Sequence, residues 1–311
     1  MSKLDDNLGK EIDLDTNFQH ITYKEKMDRA KEELLATDPS KVIKWWWEEW
    51  DKSFGGIYWG KMYLIGGNTG AWKSTFLNQI CNWVSEQWWK VVKYSLEDRM
   101  EDIGKEELFY ETNRFRRSNG LKPYLRVDFV NNNIWWNDFE VCLEVAYEAL
   151  VVKNITELDK KKQVSIDELC DLMNGECDKG TKMFAIDHLH YFEFNNSKER
   201  LDIEIKNVMH KLNEIARTRN VAIFLIAHYR NNTNWLPDPS WFRDWSAIKQ
   251  VVNYIIQIDR EFDDSGKSTF YITKKRGPIK VTEFETRFDI NTFEYSFKKT
   301  KPEWRQEQKY I

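Results

Sequence analysis

Two periods of apolar and polar residues alternate along the chain, and their order sets out an α/β protein. Apolar stretches mark strands at Met62–Ile65, Val91–Leu96, Lys182–Asp187 and Val221–Ala227, the last a continuous run. Continuous runs of this kind suit a parallel sheet covered on both faces. Between the last two, Leu201, Ile205, Val208, Met209, Leu212, Ile215 and Ala216 recur at helical spacing and predict a helix over 201–219. Further helices are predicted over 73–87, 100–119 and 139–152, and Ser165-Ile-Asp-Glu168 has the spacing of a capping box, starting a helix that reaches Met173. Leu125–Val130 reads as a short strand. From Tyr254 the pattern changes: Tyr254–Asp259, Thr269–Lys274 and Ile279–Glu285 read as strands joined by turns, hence antiparallel. Tyr23–Leu35 has helical period with charged outer faces, an arm that either packs on a neighbouring subunit or stands in solvent. The predicted architecture is α/β, a mostly parallel twisted sheet flanked by helices with antiparallel strands at its C-terminal side. Its boundaries are a helical arm or linker at 1–44, a core domain at 45–297 and a charged tail at 298–311.

Composition narrows this little. With 311 residues, 41% of them hydrophobic, the chain can bury one sizeable core. No apolar run approaches the roughly 18 residues of a membrane span, and MSKLDDNLGKEIDLD lacks an apolar signal segment, so the expectation is a cytoplasmic protein without a membrane partner. Cys81, Cys142, Cys170 and Cys177 form no C-x-x-C pair, which argues against a zinc site. A net charge of -4 gives no global basic field, so nucleic-acid contacts must come from local clusters.

The chemistry gathers at Met62-Tyr-Leu-Ile-Gly-Gly-Asn-Thr-Gly-Ala-Trp-Lys-Ser-Thr75, where a strand, a Gly-rich turn and a helix follow one another. This order builds a nucleoside-triphosphate site: turn amides and the helix N-terminus point donors at phosphates, a lysine reaches the outer oxygens and a hydroxyl holds Mg²⁺. The candidate ATP cradle is Gly67, Asn68, Thr69, Gly70, Ala71, Trp72, Lys73, Ser74 and Thr75. Trp72 departs from the pattern, which wants glycine there so that backbone can approach phosphate; an indole would take up the space of the anion. Trp is also in excess, 15 against 13 Gly, where ordinary usage of about 7% predicts roughly twenty glycines. Tryptophans fall at turn-like places: Trp59, Trp72, Trp88, Trp89, Trp241 and Trp245. One explanation is that many are glycine codons, UGA, read as tryptophan; the other is a Trp-rich protein with a degenerate site.

Acids at other strand ends complete the picture. Glu97 follows the strand Val91–Leu96, read as the neighbour of the phosphate-loop strand, and there it either polarises an attacking water or starts the next helix as a surface acid. Asp187 ends a buried strand and is the natural Mg²⁺ partner of Ser74. His228 ends another and can contact a γ-phosphate; His188 and His190 read as structural. Arg114, Arg116 and Arg117 either track a nucleic-acid backbone or form a solvated helix end. The basic run Lys274-Lys-Arg276 precedes Gly277-Pro278 and either reaches out of the subunit or tips a hairpin. Gly266-Lys267-Ser268 imitates a phosphate loop but lacks the upstream glycine and the following helix.

Taken in order, IGGNTGAWKST, YSLE, FAIDHLHYF, LIAHYRN, FRDWSAIKQ and ITKKRGPI resemble the RecA-like P-loop motor domain of hexameric replicative DNA helicases of DnaB and phage primase-helicase type, over about 45–297. The resemblance implies an ATP- and Mg²⁺-dependent helicase or translocase acting on single-stranded DNA as a homo-oligomeric, hexameric ring, with a primase or loader as partner. In it the residue matching Glu97 activates water, that matching Asp187 supports Mg²⁺ and that matching His228 couples the γ-phosphate to a DNA-binding loop. Lys274 and Arg276 match residues that enter the neighbour's active site. No primase or N-terminal helical domain precedes the motor, and residues 100–180 do not match the family closely. Two other readings stand beside it: a recombinase- or clock-type RecA ATPase, and a non-catalytic oligomeric scaffold if Trp72 blocks ATP.

Overall fold

The computed structural model describes residues 22–36, 43–45, 47, 50–51, 55–95, 100–131, 138–158, 165–188, 201–228, 248, 250–261, 266–275, 282–289 and 294–300. Two compact units divide the chain, Met1–Val42 and Ile43–Ile311. The first contains helix α1 (Tyr23–Ala36), started by Thr22, whose backbone N–H and hydroxyl both donate to Glu25. Its described side chains are exposed, in keeping with the predicted charged arm.

The second unit is one nine-stranded sheet. In chain order its elements are β1 (Met62–Gly67), α2 (Lys73–Glu86), β2 (Lys90–Ser95), α3 (Met100–Ser118), α4 (Arg126–Val130), α5 (Phe139–Val151), β3 (Ile155–Leu158), α6 (Ile166–Asp178), β4 (Thr181–Asp187), α7 (Leu201–Arg219), β5 (Ala222–His228), β6 (Tyr254–Arg260), β7 (Lys267–Lys275), β8 (Thr282–Asp289) and β9 (Glu294–Thr300). The sheet order is β3-β2-β4-β5-β1-β6-β7-β8-β9. Strands β3 to β6 run parallel and β6 to β9 antiparallel, as the change of pattern at Tyr254 predicts.

Two predictions are corrected. Leu125–Val130 is helical, not a strand: α4 starts after Leu125, and Asp128 and Phe129 both donate to the Leu125 carbonyl. Strand β2, which Glu97 follows in the chain, is not beside the phosphate-loop strand, because β4 and β5 lie between β2 and β1. The short β3 was missed; its four residues are all half-buried and give no clear period. The capping box is present, with the Ser165 hydroxyl accepting from Glu168 N and the Glu168 carboxylate from Ser165 N, and its helix runs past Met173 to Asp178.

Alternate residues of the parallel strands face two cores, as the side-chain period of two requires. On one side Tyr63, Ile65, Ala185, Phe224 and Ile256 pack against Phe76, Leu77, Ile80 and Val84 of α2. On the other, Leu64, Val92, Phe184, Ile223 and Leu225 pack against Leu169 and Met173 of α6 and Ile205, Met209 and Leu212 of α7. An aromatic cluster extends the first core: Trp50, 0% exposed, lies edge-on to Trp45, Phe76 and Phe270, and Phe76 meets Phe270 and Tyr295. Phe76 therefore ties the helix behind the phosphate loop to the antiparallel strands. Phe76→Ala should cost about 3–5 kcal/mol, because a cavity forms where rings from three elements meet; urea unfolding followed by circular dichroism measures it.

Candidate nucleotide site

Strand register alone brings the predicted site residues to one edge. Gly67, the last residue of β1, pairs with His228 at the end of β5 and with Ile258 of β6, while Ser95 at the end of β2 pairs with Asp187 at the end of β4. The carboxyl ends of β1, β2, β4 and β5 therefore form one rim. At about 4.8 Å per strand, Asp187 lies on a strand roughly 10 Å from β1. Since β1 sits between β5 and β6 while its own chain continues through α2 to β2, the rim contains a switch point in the sheet, where α/β proteins bind ligands.

The phosphate loop is closely specified. A Cβ on Gly67 would come within 2.7 Å of the Ile258 carbonyl and 3.2 Å of the Ala71 Cβ, so no larger residue fits. Gly70 takes φ 78°, a left-handed conformation natural to glycine. Lys73 is 5% exposed and its amine donates to the Asn68 carbonyl at 2.9 Å, so the cation sits across the loop it serves. Ser74 and Thr75 follow on the first turn of α2, both half-buried. Side chains from the antiparallel strands hold the remaining carbonyls: Arg260 donates to Gly70 O at 3.0 Å and the Tyr295 hydroxyl to Ala71 O at 3.1 Å. Burial raises the Tyr295 phenol well above its ordinary pKa, so it remains a donor at any physiological pH.

Trp72 precedes α2 with φ 58° and ψ 36°. For a side chain with a Cβ this left-handed conformation costs about 1–2 kcal/mol. Its indole is stacked on Phe288 at 4.8 Å, with the Arg260 guanidinium 5.0 Å from the ring centre. The ring is thus packed towards β6 and β8.

Behind the rim a buried charge cluster fixes β2. Lys93 of β2 is paired with Glu107 of α3 at 2.8 Å and with Glu157 of β3. Burial alone would lower the Lys93 pKa, but the two carboxylates more than offset it and hold the value well above the ordinary lysine range. A raised folded value means that this stabilisation is complete below the unfolded lysine pKa and is lost only as pH climbs through the folded one. Burial also pushes the nearby Cys81 thiol up to about 12, which makes it a poor nucleophile.

Several predicted residues resolve differently. Glu97, Arg276 and His190, with Trp241 and Trp245, lie outside the described residues. His188 is buried, in keeping with a structural role. Lys274 donates to the Val252 carbonyl of its own chain at 2.6 Å. Of the Arg114–Arg117 cluster, Arg114 and Arg117 lie on an exposed helix end, as one reading expects, while Arg116 is buried, and all three are paired with acids rather than forming a free basic patch. Arg116 is 1% exposed, lies 3.9 Å over the Tyr124 ring and pairs with Asp138; Arg114 pairs with Glu86, and Arg117 with Asp289 and Glu294. Lys267-Ser268 starts strand β7, which disposes of the imitation phosphate loop. Arg260 and Tyr295 escaped the sequence reading, because neither has a local motif and both reach the loop through sheet pairing. Among the described residues no three His, Cys, Asp or Glu side chains gather as a metal cluster, and no helix is long and apolar enough to cross a membrane.

Comparison with known proteins identifies the family and agrees with the fold. The DnaB-like helicase C-terminal domain family matches residues 43–295. Among solved structures, a DnaB-like replicative helicase described with its interactions with primase superposes with a TM-score of 0.73 at 17% identity, covering 89% of this chain and 67% of that one. A second solved structure, described as an ATPase domain, gives 0.72 at 18% identity, covering 89% and 99%. A KaiC-like protein from the hyperthermophilic archaeon Pyrococcus horikoshii OT3 gives 0.56 at 18% identity, covering 83% and 99%. No curated protein sequence matches.

Two outcomes are expected. Lys93→Met should lower stability by about 3 kcal/mol at pH 7 in denaturant titrations, because it strands two partly buried carboxylates. Iodoacetamide should leave Cys81 unmodified in the folded protein and alkylate it once urea is added, as read by peptide mass mapping.

Proposed function

The chain belongs to the DnaB-like helicase C-terminal domain family, an ATP-hydrolysing helicase motor of RecA-like fold, and from that premise we propose how its residues divide the work. The observation that carries the reading is the register that sets Gly67 beside His228 on the rim that also carries Asp187. The cradle from Gly67 to Thr75 binds the triphosphate of ATP, with loop amides and the α2 N-terminus as donors and Lys73 as the cation for the outer oxygens. The missing room at Gly67 fits a loop drawn tightly around a ligand. Ser74 and Asp187 would hold Mg²⁺, which supplies charge neutralisation between the phosphates when bound.

Glu97, two residues beyond the end of β2 in the chain, is assigned the role of orienting the attacking water. His228 links the outer phosphate to the segment after β5, which contacts single-stranded DNA. Lys274 and Arg276 stabilise transition-state charge in the site of an adjacent subunit, so the working form is a homo-oligomeric ring, hexameric by analogy with the family, in the cytoplasm. For Lys274 this requires release from the Val252 carbonyl that it contacts in its own chain. A primase or loader is a natural partner for such a motor.

Single-stranded DNA should stimulate ATP turnover, and Lys73→Ala should reduce it by about 10²-fold or more, as loss of a charge-stabilising group at the reacting centre does. The assay is phosphate release with and without oligonucleotide. Turnover indifferent to DNA would return the reading to a clock-type ATPase.

A further inference from the structure

We propose that positions 72 and 88 are glycine in the protein made by its own cell, each encoded by UGA and read there as glycine, whereas Trp45, Trp50 and Trp83 are true tryptophans. Backbone conformation separates the two classes, which composition alone could not do. Among the described residues, left-handed φ occurs at glycines, at Asn220 and at two others, Trp72 at 58° and Trp88 at 67°. Asparagine enters this region readily; a bulky aromatic residue there is an outlier.

The two positions sit at opposite ends of one helix, and each has a glycine-specific role. At the start of α2, position 72 is the last loop residue before Lys73-Ser74, where the phosphate-loop pattern has glycine. At its end, Glu86 is the last helical residue and Gln87 the cap. Trp88 N then donates to Ser85 O at 2.8 Å and Trp89 N to Val84 O at 3.4 Å, the paired bonds of a Schellman motif. That motif takes glycine at the residue after the cap because it must be left-handed. The chain supplies its own controls: α3 and α6 end with Gly120 at φ 70° and Gly180 at φ 88° in the same place.

Side-chain surroundings divide the same way. Trp88 is 88% exposed, an indole at a turn with almost nothing covering it. Trp45 and Trp50 are 3% and 0% exposed within the aromatic cluster, and the Trp83 indole donates to the Lys44 carbonyl at 2.6 Å. A glycine at any of these three would leave a hole or strip the Lys44 carbonyl of its indole donor.

Fragment-ion mass spectrometry of the protein isolated from its native cell tests this directly. Tryptic peptides 62–73 and 74–90 should carry glycine at 72 and 88, each lighter by the difference between an indolylmethyl group and hydrogen, with tryptophan retained at 83 inside the second peptide. The gene should read UGA at 72 and 88 and UGG at 45, 50 and 83. Tryptophan in the mass spectrum at either 72 or 88, a UGG codon at either, or glycine at 83 overturns the proposal. No activity enters the readout, so it stands or falls apart from the assignment of ATP turnover and DNA binding.

Discussion

A phosphate loop works when its backbone is already in shape before the anion arrives, and here that shape is inherited from β1. Hydrogen-bonded to β5 on one side and β6 on the other, β1 has both edges filled and all six residues buried. Its last residue, Gly67, is pressed so closely against β6 that a side chain there would strike the Ile258 carbonyl. Phe76 then locks the helix that follows into the aromatic core. Loop geometry is thus a property of the sheet and its packing, and the loop itself needs little beyond glycines and a lysine.

The parallel half of the sheet could be read from the chain because its strands are covered on both faces and therefore written as apolar runs, as in Val221–Ala227. The helices α2, α6 and α7 were readable because each buries one stripe and exposes the other. Leu125–Val130 misled because six residues with two valines and a phenylalanine satisfy a strand pattern, while the helical turn is decided by its bonds back to Leu125. The order of strands is non-local and no residue encodes it, so two strands lying between β2 and β1 could not be read by inspection. The arginines of α3 show the same limit: three cations around one aromatic look like a surface patch until the acids that neutralise them arrive from α2, β8, β9 and the residues before α5.

Within the site, local motif and distant support were unequally visible. Lys73, Ser74 and Asp187 announce themselves by position, at a helix start and a strand end. Arg260 and Tyr295 do not, although they hold two of the loop's carbonyls. Trp72 is the instructive middle case. The sequence marks it as a misfit of size, whereas the structure turns its ring onto Phe288 and relocates the difficulty to the backbone, in a torsion that an L-residue with a large side chain avoids.

The grip of β6 and β9 on the loop carbonyls has a mechanical meaning. Gly70 and Ala71 are tethered to the same antiparallel extension whose β7 strand ends in Lys274 and Lys275. Force applied at the end of β7 would travel through the hydrogen-bonded strands β7 and β6 and arrive at the Gly70–Ala71 turn. Sheet and loop behave as lever and jaw of one tool.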